Sequence, residues 1–275
     1  MPFSLQQALC GTSALPMTFY QKLNAAVAKH HTLLCVGLDS DIEKIPRSLR
    51  SDKTPQFTFN KTIIDAAHDL VCAYKPNSAF YEARGAQGIT ELKMTCDYLR
   101  KTYPGIVLIL DAKRGDIGST NKGYVAFAFD YLGADAITLH PFLGGEALAP
   151  FLARKDKGCI ILCRTSNPGA GEFQDGVSEK VATQVAKAWN KNNNCALVVG
   201  ATYPAQLKRI RARVGDMPIL LPGIGAQGGD VEKALKAGLN SKKAGLIVNS
   251  SRGILFAANP REEAKNLREL INSFR

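Results

Sequence analysis

The chain has 275 residues, 45% of them hydrophobic, and a formal net charge of +11 from 35 Lys and Arg against 24 Asp and Glu. That length can bury a large core, either as one α/β barrel or as two smaller domains. No run of about 18 or more apolar residues occurs, which excludes an ordinary membrane-spanning helix. The N-terminal MPFSLQQALCGTSALPM lacks the basic start of a secretory signal, so a cytoplasmic protein is expected.

Residues 1–16 read as an addition of unknown role in front of a single domain, 17–275. Short, almost wholly apolar runs then alternate with longer amphipathic stretches to the end of the chain. The runs predict eight strands: Leu33 to Leu38, Val71 to Tyr74, Val107 to Leu110, Ala136 to Leu139, Cys159 to Cys163, Ala196 to Val199, Pro218 to Leu221 and Gly245 to Val248. The stretches between and after them predict helices over Thr58 to Leu70, Thr90 to Thr102, Ser119 to Leu132, Glu146 to Leu152, Ser178 to Asn190, Pro204 to Val214, Asp230 to Ala237 and Pro260 to Phe274. Near-continuous apolar strands alternating with helices call for a parallel sheet covered on its outer face. Eight such units in this length fit a (β/α)8 TIM barrel. A doubly wound open sheet has the same period, but its G-x-G-x-x-G fingerprint is missing after the first strand, where the sequence reads VGLDSD.

Seven cysteines, an odd number, include no C-x-x-C. Five sit in strand-like runs (Cys35, Cys72, Cys159, Cys163, Cys195) and two elsewhere (Cys10, Cys96), and all are expected to be reduced and buried. The excess positive charge would draw an anionic ligand or nucleic acid. Its densest run, Lys208 to Arg213, lies in a helical pattern without interleaved aromatic residues, so it reads as a solvated helix face. A small phosphorylated ligand fits better than nucleic acid.

In a barrel of this kind chemistry sits where the strands end, so the polar residues just after each apolar run are the candidates. Asp39 follows the first strand; alone, it would be a turn or N-cap carboxylate. Lys75 follows the second; alone, it would be a snorkelling surface lysine. Asp111, Lys113 and Asp116 close the third, with Asp111 and Lys113 on one face of a regular strand about 6.6 Å apart. Two lysines and several carboxylates on neighbouring strand ends must pair or do work, and a carboxylate beside an ammonium suits chemistry on an anion followed by delivery of a proton. His140 ends the fourth strand, where a hydrogen-bonded rim residue is the commoner role.

After the fifth strand, Arg164 to Gly171 (RTSNPGAG) supplies hydroxyl and amide groups that could read a heterocycle and close over it. The last two strands are followed by PGIGAQGGD (222–230) and NSSRG (249–253), where barrel enzymes commonly build a phosphate site. Glycines there let backbone N–H groups approach oxygens, and Arg252 offers a fork of donors.

With these residues in place, the chain from about residue 18 onward resembles the orotidine 5′-monophosphate decarboxylases, in the barrel superfamily they share with hexulose-phosphate synthase. The family's D-x-K-x-x-D motif falls on Asp111, Lys113 and Asp116, and its strand-one aspartate and strand-two lysine fall on Asp39 and Lys75. AKRGDIG and TSNPGAG look like the longer bacterial-type subgroup, with Gly118 where a proline is commoner. The resemblance implies cofactor-free, metal-free decarboxylation of orotidine 5′-monophosphate to uridine 5′-monophosphate in pyrimidine biosynthesis. It implies a charge array of Lys75, Asp111, Lys113 and Asp116, with Lys113 protonating the C6 carbanion and Asp111 facing the departing carboxylate. It further implies that Asp39 and Lys75 hold the ribose, that Ser166 contacts the pyrimidine, and that Gln227, Ser251 and Arg252 bind the phosphate. A homodimer is implied too, with Asp116 and Thr120 crossing to the other subunit. In the synthase branch a carboxylate stands at the Lys75 position and helps bind Mg²⁺, whereas a lysine there would repel a divalent cation. A non-catalytic nucleotide sensor on the same barrel is disfavoured, because a pure binder gains nothing from a carboxylate set against an anionic ligand.

Overall fold

Eight short strands, β1 (Leu34–Gly37), β2 (Ala73–Lys75), β3 (Val107–Arg114), β4 (Ala136–Leu139), β5 (Gly158–Arg164), β6 (Cys195–Val199), β7 (Ile219–Leu221) and β8 (Leu246–Ser250), close into one parallel barrel in chain order. The computed structural model describes residues 17–224 and 230–275. Each strand pairs with the next, and β8 returns to β1 through Leu34↔Val248 and Cys35↔Asn249. The ladder shifts register between Leu110 and Arg114 and again between Leu162 and Arg164, at the ends of β3 and β5. The (β/α)8 expectation is therefore met, and the open sheet is excluded.

Strand parity decides what points where, because successive side chains alternate between the two faces. Cys35, Ala73, Val107, Ile109, Ala136, Ile160, Ala196, Val198, Leu220 and Ile247 form one buried cluster inside the barrel. The opposite parity, including Val36, Tyr74, Leu108, Leu110, Ile137, Ile161 and Leu197, packs outward under the helices in a second, larger cluster. Lys75, Asp111, Thr138, Leu162, Val198 and Asn249 each lie two residues beyond an inward-facing member of the first cluster. The same alternation that fills the barrel thus delivers these side chains to its C-terminal mouth.

The N-terminal end is plugged by a helix absent from the expected set, Phe19–His30, whose Phe19, Leu23 and Ala26 complete the inner cluster. Its sequence signal is a capping box: Thr18 accepts from the Gln21 amide while the Gln21 side chain accepts from the Thr18 amide. Lys22 ties the plug to the wall through an ion pair with Asp135 at 2.6 Å. Most other helices fall where expected, including Pro204–Val214, and Pro260–Asn272 with its Asn259 cap. Two are irregular: Gly118–Val125 continues into a wider π-type turn at Ala126–Tyr131, and Ser178–Gln184 does the same at Val185–Trp189.

The basic run needs a correction. Arg209 and Arg213 are exposed and clamp Glu179, as a solvated face would, but Arg211 is buried. Its guanidinium donates to the carbonyls of Gly215, Met217, Gly238 and Gly245 at 2.6–2.7 Å, lacing together the loops that lead into β7 and β8. The expectation of buried thiols holds for Cys35, Cys72, Cys96, Cys159, Cys163 and Cys195, all free; Cys10 and the 1–16 extension lie outside the described residues. Among the described residues no helix is long and apolar enough to cross a membrane.

Candidate active site

At the C-terminal mouth of the barrel lies a cavity of about 400 Å³, lined on one side by Asp39, Lys75, Asp111, Lys113 and Thr138 and on the other by Ser166, Asn249, Ser251 and Arg252. Its floor is apolar, made by Leu162, Val198, Leu220 and Ile224. That volume falls within the range of small-molecule sites, and a wall of ions facing a wall of hydroxyl and amide groups across a greasy floor suits a ligand with distinct charged ends.

Asp111 is the centre of the ionic wall. Its Oδ2 accepts from Lys75 Nζ at 2.8 Å, and its Oδ1 accepts from Lys113 Nζ at 2.6 Å and from the Thr138 hydroxyl at 2.8 Å. Burial pushes its carboxyl up, but the Lys75 and Lys113 charges outweigh that and hold it well below the usual carboxylate range. Burial alone would lower the Lys75 ammonium, yet the facing charges of Asp111 and Asp39 hold it above the ordinary lysine value. Both partners of this inner pair are therefore ionised at neutral pH. Lys113 differs in being half exposed, with 47% of its side chain accessible, so its ammonium is the member of the array free to approach a ligand.

The backbone explains how Asp111 and Lys113 touch when a regular strand would hold them about 6.6 Å apart. Lys113 has a φ of +47°, in the left-handed region, within the stretch where β3 slips register against β4. A non-glycine residue there costs about 1–3 kcal/mol and persists only where its surroundings impose it. The bulge turns the Lys113 side chain back over the carboxylate.

Asp39 sits at the end of β1 with one carboxylate oxygen buried and unpartnered, so it retains capacity to accept from a ligand. Behind it, residues that sequence reasoning missed hold the turn. Tyr81 donates to the Leu38 carbonyl at 2.9 Å, Asn60 donates to the Tyr81 hydroxyl at 2.8 Å, and Gln56 donates to the Ser40 carbonyl at 2.7 Å. Gly37 is required beside it, since a Cβ there would lie 1.9 Å from the Ser251 hydroxyl. The loop after β5 is anchored from below by Arg164, 2% exposed, which lies over the Tyr203 ring and pairs with Asp175 at 3.2 Å. That anchor holds Ser166 at the cavity wall.

Of the expected site residues, Asp39, Lys75, Asp111, Lys113, Ser166, Ser251 and Arg252 line the one cavity, with Asn249 from the same NSSRG segment, and Thr138 joins them unannounced. Asp116 and Thr120 do not line it. The Asp116 carboxylate accepts from the Ile117 amide at 2.7 Å, and buried Asn121 pins this loop to the Ala147 carbonyl at 2.6 Å. Gly118 has a φ of +42°, which a proline could not adopt. His140 packs against Gly115 and lies outside the cavity lining. Gln227 lies outside the described residues. No cluster of three or more metal-ligating side chains occurs among the described residues.

The model of the "Orotidine 5′-phosphate decarboxylase / HUMPS family" matches residues 32–267. A protein of Cellvibrio japonicus named orotidine 5′-phosphate decarboxylase is 49% identical over 94% of this chain and 97% of its own. Among solved structures, the Leishmania donovani OMP decarboxylase superposes with a TM-score of 0.85 at 40% identity, covering 94% of this chain and 99% of that one. The UMP synthase of the same organism superposes with a TM-score of 0.86 at 41% identity, and there the match spans 94% of this chain but 56% of the other.

Proposed function

The chain belongs to the orotidine 5′-phosphate decarboxylase / HUMPS family, and from that membership we propose that it converts orotidine 5′-monophosphate to uridine 5′-monophosphate and CO₂, a step of pyrimidine biosynthesis. The observation that carries this reading within the family is the Lys75–Asp111–Lys113 array: an ammonium, 3% exposed and 2.8 Å from Asp111, stands where a metal-dependent relative would need a free carboxylate. An ammonium there repels a divalent cation and leaves Asp111 charged. No cofactor or metal enters the proposed reaction.

The chemistry follows from the charges. Substrate placed with its 6-carboxylate against Asp111 meets a like charge, and that stress is relieved as the C6–carboxylate bond breaks and CO₂ leaves. The electron pair stays on C6, where Lys113 stabilises it and then gives up a proton, forming the C6–H bond of the product; solvent reprotonates the lysine. Asp39 and Lys75 hold the ribose hydroxyls, Ser166 meets the pyrimidine, and Gln227, Ser251 and Arg252 grip the phosphate. The phosphate is remote from the breaking bond, so its binding energy acts by positioning the substrate and holding the site closed.

Asp116 and Thr120 act in the cavity of a second copy in a homodimer. What supports this is that neither lines its own cavity while Ile117 and Phe142, on the neighbouring loops, are 61% and 90% exposed, an apolar surface suited to a partner. Mixing Asp116→Ala with Lys113→Ala subunits should restore turnover at one of the two sites of each hybrid; no recovery on mixing would remove the shared site. The protein works in the cytoplasm, with no nucleic-acid or membrane partner. The activity itself is tested by adding orotidine 5′-monophosphate and following ultraviolet absorbance with CO₂ release. Stoichiometric CO₂ is expected, whereas tight binding of uridine 5′-monophosphate with no CO₂ released from orotidine 5′-monophosphate would make the protein a sensor.

A further inference from the structure

We infer that Thr138 is a positioning residue for the reaction, its hydroxyl fixing at once the carboxylate and the lysine that act on C6; this rests on the decarboxylase reading above. Thr138 lies on β4, is 1% exposed and faces the cavity. Its Oγ1 accepts from the Lys113 backbone N–H at 2.9 Å and donates to Asp111 Oδ1 at 2.8 Å. The Lys113 ammonium donates to that same Oδ1 at 2.6 Å, so backbone, hydroxyl, carboxylate and ammonium form a closed ring of hydrogen bonds.

Two features show why the ring needs a hydroxyl. Lys113 holds a φ of +47° where the β3–β4 ladder slips, so its amide is out of regular pairing and takes a side-chain oxygen from β4 instead. Asp111 must keep its Oδ1 lone pairs aimed at two donors from different strands. A group that accepts from one side and donates to the other satisfies both needs, and a serine or threonine hydroxyl is such a group; valine has the same shape and offers neither. Thr138 has no charge and its hydroxyl is engaged by Asp111 and the Lys113 amide, so it acts through them.

Thr138→Val should therefore free the Lys113 amide and let the Asp111–Lys113 pair drift. A misplacement on the order of 1 Å is enough to lower kcat about 100-fold. Binding of uridine 5′-monophosphate, which has no leaving carboxylate, should stay within about twofold because the phosphate and ribose contacts are untouched. The experiment measures kcat and KM with orotidine 5′-monophosphate, the Kd of uridine 5′-monophosphate, and hydrogen exchange at the Lys113 amide in the parent, Thr138→Val and Thr138→Ser. The expected result is a fall in kcat with faster Lys113 exchange in the valine variant and recovery of both in the serine variant. Unchanged kcat in Thr138→Val overturns the inference. So does equal damage in both variants, which would assign the effect to the methyl group, or a matching loss of product binding, which would mark a merely structural role. A parent that turns over no substrate would sink the decarboxylase reading instead, and Lys113 exchange would still show whether the hydroxyl bridge exists.

Discussion

The two ends of the barrel bury charge in opposite ways. At the N-terminal end the Arg211 guanidinium, 8% exposed, is surrounded by four backbone carbonyls and has four of its five N–H donors occupied. Desolvation lowers its pKa to about 10, yet it stays charged and faces no ligand. At the C-terminal end Asp111, 8% exposed, is also ionised, but its partner Lys113 is half open to the cavity and the neighbouring Asp39 keeps an unpartnered buried oxygen. Burial and a shifted pKa are common to both ends. What marks the site is unused hydrogen-bonding capacity directed into a cavity, whereas the Arg211 donors are spent on loop carbonyls.

The sharpest way to break this contrast is to remove the free cation. Lys113→Ala should lower kcat by at least about 10³-fold with binding of uridine 5′-monophosphate largely retained; a normal rate of CO₂ release would take Lys113 out of its role. The complementary change at the other end, Arg211→Met, strands four carbonyls and should cost about 2–4 kcal/mol of stability in urea unfolding, with kcat per folded molecule unchanged. A loss of kcat in folded Arg211→Met protein would mean that the two ends are coupled. Arg252→Ala should lower kcat/KM by about 10- to 100-fold while leaving the fold intact, since a charged hydrogen bond contributes roughly 1.5–3 kcal/mol. Near-normal kcat/KM with the phosphorylated substrate would remove Arg252 from the phosphate site.

The smallest effect is in pH. The Asp111 pKa is depressed in the folded chain, so its pairing stabilises the fold fully above the unfolded carboxylate value of about 4 and is lost as pH falls below that toward its folded pKa. Stability measured from pH 7 to 5 should therefore show no pH dependence from Asp111, with a decline in more acid solution that Asp111→Asn reduces. A transition assigned to Asp111 near neutrality would contradict the two-lysine cradle.

How much of this was legible in the sequence follows the same contrast. Period-2 alternation is strict in a strand, so Lys75 and Asp111, just beyond apolar runs, could be placed at the mouth together with Asp39. Thr138 obeys the same parity, but a threonine inside AITL reads as a β-branched strand residue, whereas Asn249 opens the NSSRG segment already placed at the mouth. Only the fold brings Thr138 against Lys113. Arg211 was hidden because a run of three arginines at alternate positions must put one on the inner face of a helix, and composition does not say which. The Phe19–His30 plug was missed although Thr18 and Gln21 carry its cap, because the alternating pattern was counted from the first strand. Asp116 and Thr120 rest on the motif alone, since neither lines the cavity of its own chain.

The central claim, that two lysines around a carboxylate break the bond without a metal, is tested most directly by the rate of orotidine 5′-monophosphate turnover in EDTA-treated protein with and without added Mg²⁺. Equal rates in both, with uridine 5′-monophosphate as the product, are predicted. Turnover absent in EDTA, with Mg²⁺-dependent formaldehyde exchange on a pentulose phosphate in its place, would contradict it and move the protein to the synthase branch of its family.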